Sequence, residues 1–165
     1  METGVKDASL KIYPMSGYGN PNILREVIDL ENPDAIIHFT DPRFWIWLYN
    51  MEHEVRQHIP IMYYNIWDDL PDPHWNTNFY RSCDTLMGIS KQTYGINKRL
   101  LKNHGYEDWQ IRYVPHGISD KRIFSVEPED TLYKRFNERF GFDRYKFKIL
   151  FLNRNIRRKQ PADCV

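Results

Sequence analysis

Apolar positions along this chain switch repeatedly between two rhythms. In residues 22–30 (NILREVIDL), Ile23, Val27 and Leu30 recur at helical spacing, and Glu31-Asn32-Pro33 follows where proline forbids continuation. A short apolar run, Ala35 to Phe39, then reads as a buried strand. Phe44 to His58 carries Trp45, Leu48, Met51 and Val55 and predicts one second helix, and Ile59 to Tyr64 predicts a second strand. A polar loop rich in aspartate and proline (DDLPDPHW, Asp68 to Trp75) leads to a helix around Asn78 to Ser82 and a strand from Thr85 to Ile89. Lys91 to His104 predicts a helix with Ser90 as its N-cap, Gly105 stands at the expected stop, and Ile111 to Val114 predicts a further short strand. Strands separated by helices of this length imply βαβ units and a parallel sheet. The expected class is α/β, a Rossmann-like parallel sheet with flanking helices.

Beyond these units, Glu127 to Phe142 (EPEDTLYKRFNERFGF) places Leu132, Phe136 and Phe140 on one helical face. Lys146 to Leu152, with Phe147 and Ile149 to Leu152 apolar, predicts a strand running into the basic cluster Arg154, Arg157, Arg158 and Lys159.

Composition narrows the class of molecule. The 165 residues suit one domain of ordinary size. With 41% hydrophobic residues and a net charge of +1, the chain calls for no polyanion across its whole surface, so a nucleic-acid partner is not expected. Mean hydropathy is −0.68, and no apolar run approaches the roughly 20 residues that cross a bilayer. The opening METGVKDASLKIYPM has no basic stretch followed by an apolar one, so a cytoplasmic setting is expected. Cys83 and Cys164 lie far apart without CxxC spacing and suggest neither a disulfide framework nor a zinc site.

Parallel sheets bind ligands in the loops after the carboxyl ends of their strands. The candidates here are Thr40-Asp41-Pro42, Asn65 to Asp69, Gly88 to Lys91 and Pro115-His116-Gly117. Each also has a plain structural reading. Asp41 reads as the cap of the helix that follows, and Ser90 as an N-cap. Asp68, Asp69 and Asp72 read as solvated loop charge, because a metal needs converging ligands that spacing alone does not supply. Gly17 and Gly19 lack the third glycine of a phosphate-cradling fingerprint and read as a loop entering the first helix. His38 reads as a satisfied core residue.

Five ordered segments together resemble the retaining glycosyltransferases of the GT-B fold, in the large family 4 (group 1) grouping. They are NPDAIIHFTDP (Asn32 to Pro42), IPIMYYNIWDDLP (Ile59 to Pro71), YRSCDTLMGISKQTYGINKRLL (Tyr80 to Leu101), IRYVPHGISDKRIF (Ile111 to Phe124) and KILFLNRNIRRKQP (Lys148 to Pro161). The resemblance implies an incomplete GT-B architecture. Residues 1–122 would be the latter part of the N-terminal, acceptor-side Rossmann-like domain, and 123–145 a connecting helix. Residues 146–165 would be the first strand and basic loop of a truncated C-terminal, donor-side domain.

It also implies a function. The enzyme would be hexosyltransferase-like, moving a sugar with retention from a nucleotide-diphosphate donor to a hydroxyl acceptor on a sugar, lipid or protein. No cofactor or metal is expected, since Arg154 and Lys159, five positions apart, match the cations that the family aims at the donor diphosphate. Asn153 stands where the family has glycine, and His116 where it has asparagine. The family's usual histidine is missing from the loop after the second strand, which leaves the catalytic residue unassigned. Trp67 and Asp68 are the candidates for contacting sugar or acceptor in its place. The E-x7-E pair of the family lies in the donor domain, so the implied partner is the missing C-terminal half. The alternative is a non-catalytic α/β fragment or interaction module in which Trp45, Trp47, Trp67 and Trp75 pack a core or bind a partner.

Overall fold

The computed structural model describes residues 8–117, 129–152 and 161–164. The chain divides into two compact units, Met1–Gly117 and Ile118–Val165.

The first unit begins with helix α1 (Pro21–Glu31). Its N-cap Asn20 accepts hydrogen bonds from the amides of Asn22 and Ile23, Pro21 occupies the first turn, and Asn32 closes it in the left-handed conformation. Strand β1 (Ile36–Phe39) follows. Where one helix was expected over 44–58, the chain forms a 3-10 turn (Pro42–Trp45), α2 (Ile46–Asn50) and α3 (Glu52–Val55). The break falls at Met51, whose amide bonds back to Leu48 O at 3.2 Å. Tyr49 and Met51 are both buried. A straight α-helix would turn them about 200° apart, onto opposite sides, and the break removes that conflict.

Strand β2 (Ile61–Asn65), helix α4 (Thr77–Arg81), strand β3 (Thr85–Gly88), helix α5 (Lys91–Leu101) and strand β4 (Ile111–Tyr113) complete the unit. The four strands form one parallel sheet in the order β1-β2-β3-β4, with Ile36 opposite Ile61, Tyr63 opposite Leu86, and Leu86 opposite Ile111. This is the α/β, Rossmann-like arrangement that the alternating pattern predicts. Because the order never reverses, right-handed crossovers put the connecting helices on one face. Burial agrees with that placement. Ile61, Tyr63, Leu86 and Ile111 point to the face packed by Leu48, Val55, Ile96 and Leu101. Ile37 and Phe39 point the other way and are 63% and 53% exposed.

Polar ties hold the crossovers in place. Asp84 accepts from Arg56 Nη2 at 2.8 Å and from the Ile61 amide at 2.8 Å, joining the ends of β2 and β3. Cys83 is buried in the core, which pushes its thiol up to about 12. Among the described residues no helix is long and apolar enough to cross a membrane.

In the second unit the described residues form helix α6 (Thr131–Phe140), closed by left-handed Gly141. Phe136 packs on Phe140 and Phe142 with ring centroids 4.8 and 5.2 Å away, and Leu132 remains 71% exposed. The strand expected over 146–152 is not formed: these residues are irregular, with Phe147, Ile149, Leu150 and Leu152 all exposed. A strand is stabilised by ladder bonds to a neighbour, and the described residues of this unit contain no other strand.

Candidate functional site

The carboxyl ends of β1 to β4 bring the loops 40–42, 66–70, 89–90 and 114–117 to one edge of the sheet. The loop after β2 is anchored from below by buried polar side chains. Asn65, at the end of β2 and fully buried, accepts from the Trp67 amide at 3.0 Å and donates to Asn97 Oδ1 at 2.7 Å. Thr93 Oγ1 donates to Trp67 O at 2.8 Å. Ser90 Oγ accepts from the Thr93 amide at 3.0 Å, which caps α5 as its sequence position predicts. Thr93→Val removes the hydroxyl and is expected to cost about 1 kcal/mol. Hydrogen exchange at the Trp67 indole should quicken in that variant, read by thermal melts and NMR.

Trp67 and Asp68 therefore sit on a scaffolded loop. The Trp67 indole is half-buried, donates to Asp69 O at 2.8 Å and meets Trp75 edge-on at 5.8 Å. Its N–H is thus used within the loop, and Trp75, 56% exposed, offers the open ring. Asp68 is exposed. The three loop carboxylates do not converge: Asp69 Oδ1 accepts from the Leu70 amide, while Asp72 pairs with Arg99 at 2.7 Å, which holds its carboxyl below the usual range. Among the described residues no group of three or more His, Cys, Asp or Glu is placed to hold a metal ion.

Asp41 does what its place before Pro42 suggests. It accepts from the Arg43 amide at 3.0 Å, and its pairing with the Arg43 guanidinium holds its carboxyl below the ordinary range. Phe39 at the end of β1, Tyr64 near the end of β2 and His116 in the loop after β4 form an aromatic rim. Tyr64 Oη donates to Val114 O at 2.8 Å and lies 3.2 Å from His116 Nδ1, with Phe39 5.8 Å from the imidazole. No protein family, curated protein or solved structure matches the chain. The site therefore rests on its geometry.

Arg154 and Lys159 lie outside the described residues, as do Arg157 and Arg158. Sequence reading missed the roles of Asn65, Thr93 and Asn97. A signal for the last two was present: they stand four residues apart on the α5 face that also carries Ile96, Leu100 and Leu101. Polar groups at such positions serve either a buried network or a loop above it.

Proposed function

We propose that the chain acts in a retaining glycosyltransferase reaction that uses a nucleotide-diphosphate sugar and a hydroxyl acceptor. In the reaction, the anomeric carbon exchanges its bond to the diphosphate for one to the acceptor oxygen. Negative charge grows on the leaving diphosphate, and fixed cations aimed at it lower the barrier. Arg154 supplies a planar fork to two oxygens and Lys159 a point charge. Trp67 and Asp68, with exposed Trp75 beside them, are assigned to the sugar or acceptor.

One observation carries the reading. Three of the resembling segments, and the fourth as far as Gly117, are consecutive strand-and-loop units of one parallel sheet, with their polar loops at a single edge. The exposed apolar side chains Ile37 and Phe39 on the other face favour the second reading, an interaction module without transferase activity.

Titration of the chain with UDP, GDP and ADP and their sugar conjugates separates the two. At least one is expected to bind, and Arg154→Ala and Lys159→Ala are each expected to weaken it about tenfold or more, since a charge-assisted hydrogen bond contributes about 1.5–3 kcal/mol. Absence of any binding, or binding indifferent to both substitutions, leaves the module reading.

A further inference from the structure

Helix α1 packs only one of its two apolar rows. Leu24 and Ile28 rest on the core cluster, whereas Ile23 and Val27 beside them are half-buried and line a recess of about 460 Å³. No residue of this 11-residue helix is fully buried. Ile12 and Met15 of the leading segment also line the recess.

Its remaining side is the outer flank of β1. Among the described residues, β1 is paired on its β2 side alone. All of Ile36 to Phe39 border the recess, although their side chains alternate between faces, and only the lateral edge of a strand is common to consecutive residues. The register identifies the main-chain groups that lie there. Ile36 stands opposite Ile61 and donates to Pro60 O at 3.0 Å. In a parallel ladder the N–H and C=O of Ile36 and His38 therefore turn to β2, and those of Ile37 and Phe39 turn outward. No described residue bonds these outward groups, and both residues are exposed. Native sheets blunt such edges with charge or proline. The opposite edge, β4, has exposed Arg112 at its centre and Pro115 just beyond its end, whereas β1 reads Ile-Ile-His-Phe and has neither.

These two surfaces specify one kind of occupant. The open ladder is complementary to another extended backbone, and the bare row on α1 to apolar side chains at every second position of that backbone. Charge is not called for: Lys11, the one charged residue among the described lining, is matched by Glu31 at 2.7 Å. A second copy of the chain would bring its own α1 and leading segment against these walls, which a single extended segment does not.

We propose that the free edge of β1 binds an extended peptide segment of another protein, which joins the sheet as an added strand and sets alternate uncharged, apolar side chains against Ile23 and Val27. The site lies on the flank of the sheet rather than at its loop edge, and the inference does not depend on the transferase reading.

The probe is the peptide acetyl-KTVTVTVK-amide, compared with a counterpart methylated on its central amide nitrogens, which keeps the side chains and loses the donors. Titration of the whole chain, followed by NMR, is expected to slow amide exchange at Ile37 and Phe39 and leave Tyr113 of β4 unchanged. The methylated peptide is expected to bind at least about tenfold more weakly, as loss of one hydrogen bond of about 1.4 kcal/mol requires. Ile37→Pro removes an outward N–H at an edge position, where proline is tolerated, and should abolish binding while the melt remains cooperative. Val27→Lys puts a charge on the α1 row and should weaken binding without touching the ladder. Equal affinity for the two peptides would overturn the added strand. No binding at millimolar peptide, protection confined to other strands, or binding that survives both substitutions would overturn the site. Self-association that Ile37→Pro abolishes, without peptide binding, would assign the edge to a second copy and overturn the peptide partner.

Discussion

Gly88→Ala is expected to destabilise the first unit by about 3 kcal/mol, at the upper end of what overpacking costs. Gly88 ends β3 on the sheet face that carries the helices, and α5 crosses it at backbone contact. A Cβ at this position would lie 2.7 Å from Tyr94 N, 2.9 Å from Tyr94 Cα and 3.2 Å from Thr93 C. All three atoms are main chain, so no side chain can swing aside. α5 cannot easily retreat either, because Ile96 and Leu101 are fully buried in the core and its first turn is held by Ser90. Gly95→Ala, seven residues further along the chain and within α5 itself, supplies the contrast. There the new methyl meets only the flexible Arg99 guanidinium at 3.2 Å, and a helix gains about 0.5–1 kcal/mol from alanine over glycine. Chemical denaturation of both variants checks the pair. A Gly88→Ala midpoint indistinguishable from the parent chain would refute a close approach of α5 to β3 at this position. The same displacement should loosen the loop that Thr93 anchors, so this packing contact reaches the candidate site.

The elements that the sequence made legible were those whose signals are local. α5 announces itself by Ser90, its apolar face and left-handed Gly105 (φ +74°). The strands were legible because each apolar run is short and bounded by turn residues, and all four appear within two residues of the expected limits. What failed depended on distant contacts. The pattern over 44–58 fits a single helix, and its division at Met51 reflects where Tyr49 must go: its hydroxyl meets His38 Nδ1 at 2.6 Å across the core. The expected strand over 146–152 failed for a related reason, since an apolar run becomes a strand only where another strand can pair with it.

The site divides along the same line. Asp41 and Ser90 were legible as caps because a cap bonds to amides two or three residues away. The buried network of Asn65, Thr93 and Asn97 joins residues up to 32 positions apart, and no local pattern encodes such a pairing. His38 was expected to be a satisfied core residue, and it is only half so. Nδ1 has Tyr49, while Nε2 has no partner among the described residues.

That half-satisfied histidine gives the fold a pH dependence. His38 is 3% exposed, stacked on Tyr63 at 5.0 Å and set against Trp45, and burial pushes its pKa down to about 4, with the Asp41 carboxylate pulling weakly the other way. In the unfolded chain the imidazole takes up its proton near pH 6.5, the ordinary histidine value. Between about pH 6.5 and 4 the unfolded state therefore binds a proton that the folded state refuses. Stability is complete above that window and falls as the pH drops through it. The slope approaches 1.4 kcal/mol per pH unit and the total is about 3 kcal/mol. The paired carboxylates, such as Asp41 and Asp72 with their lowered pKa values, contribute their own loss only near and below about pH 4, so the fall from pH 6.5 to 5 isolates histidine. His38→Phe keeps an aromatic ring at the position and removes the titrating group. Its stability at pH 5 should lie closer to its own value at pH 7 than the parent's does, by about 2 kcal/mol. Denaturation midpoints of the two chains across this range provide the measurement, with the imidazole's own titration followed by NMR. Equal slopes in both chains, or a His38 midpoint near 6.5, would refute a neutral buried imidazole.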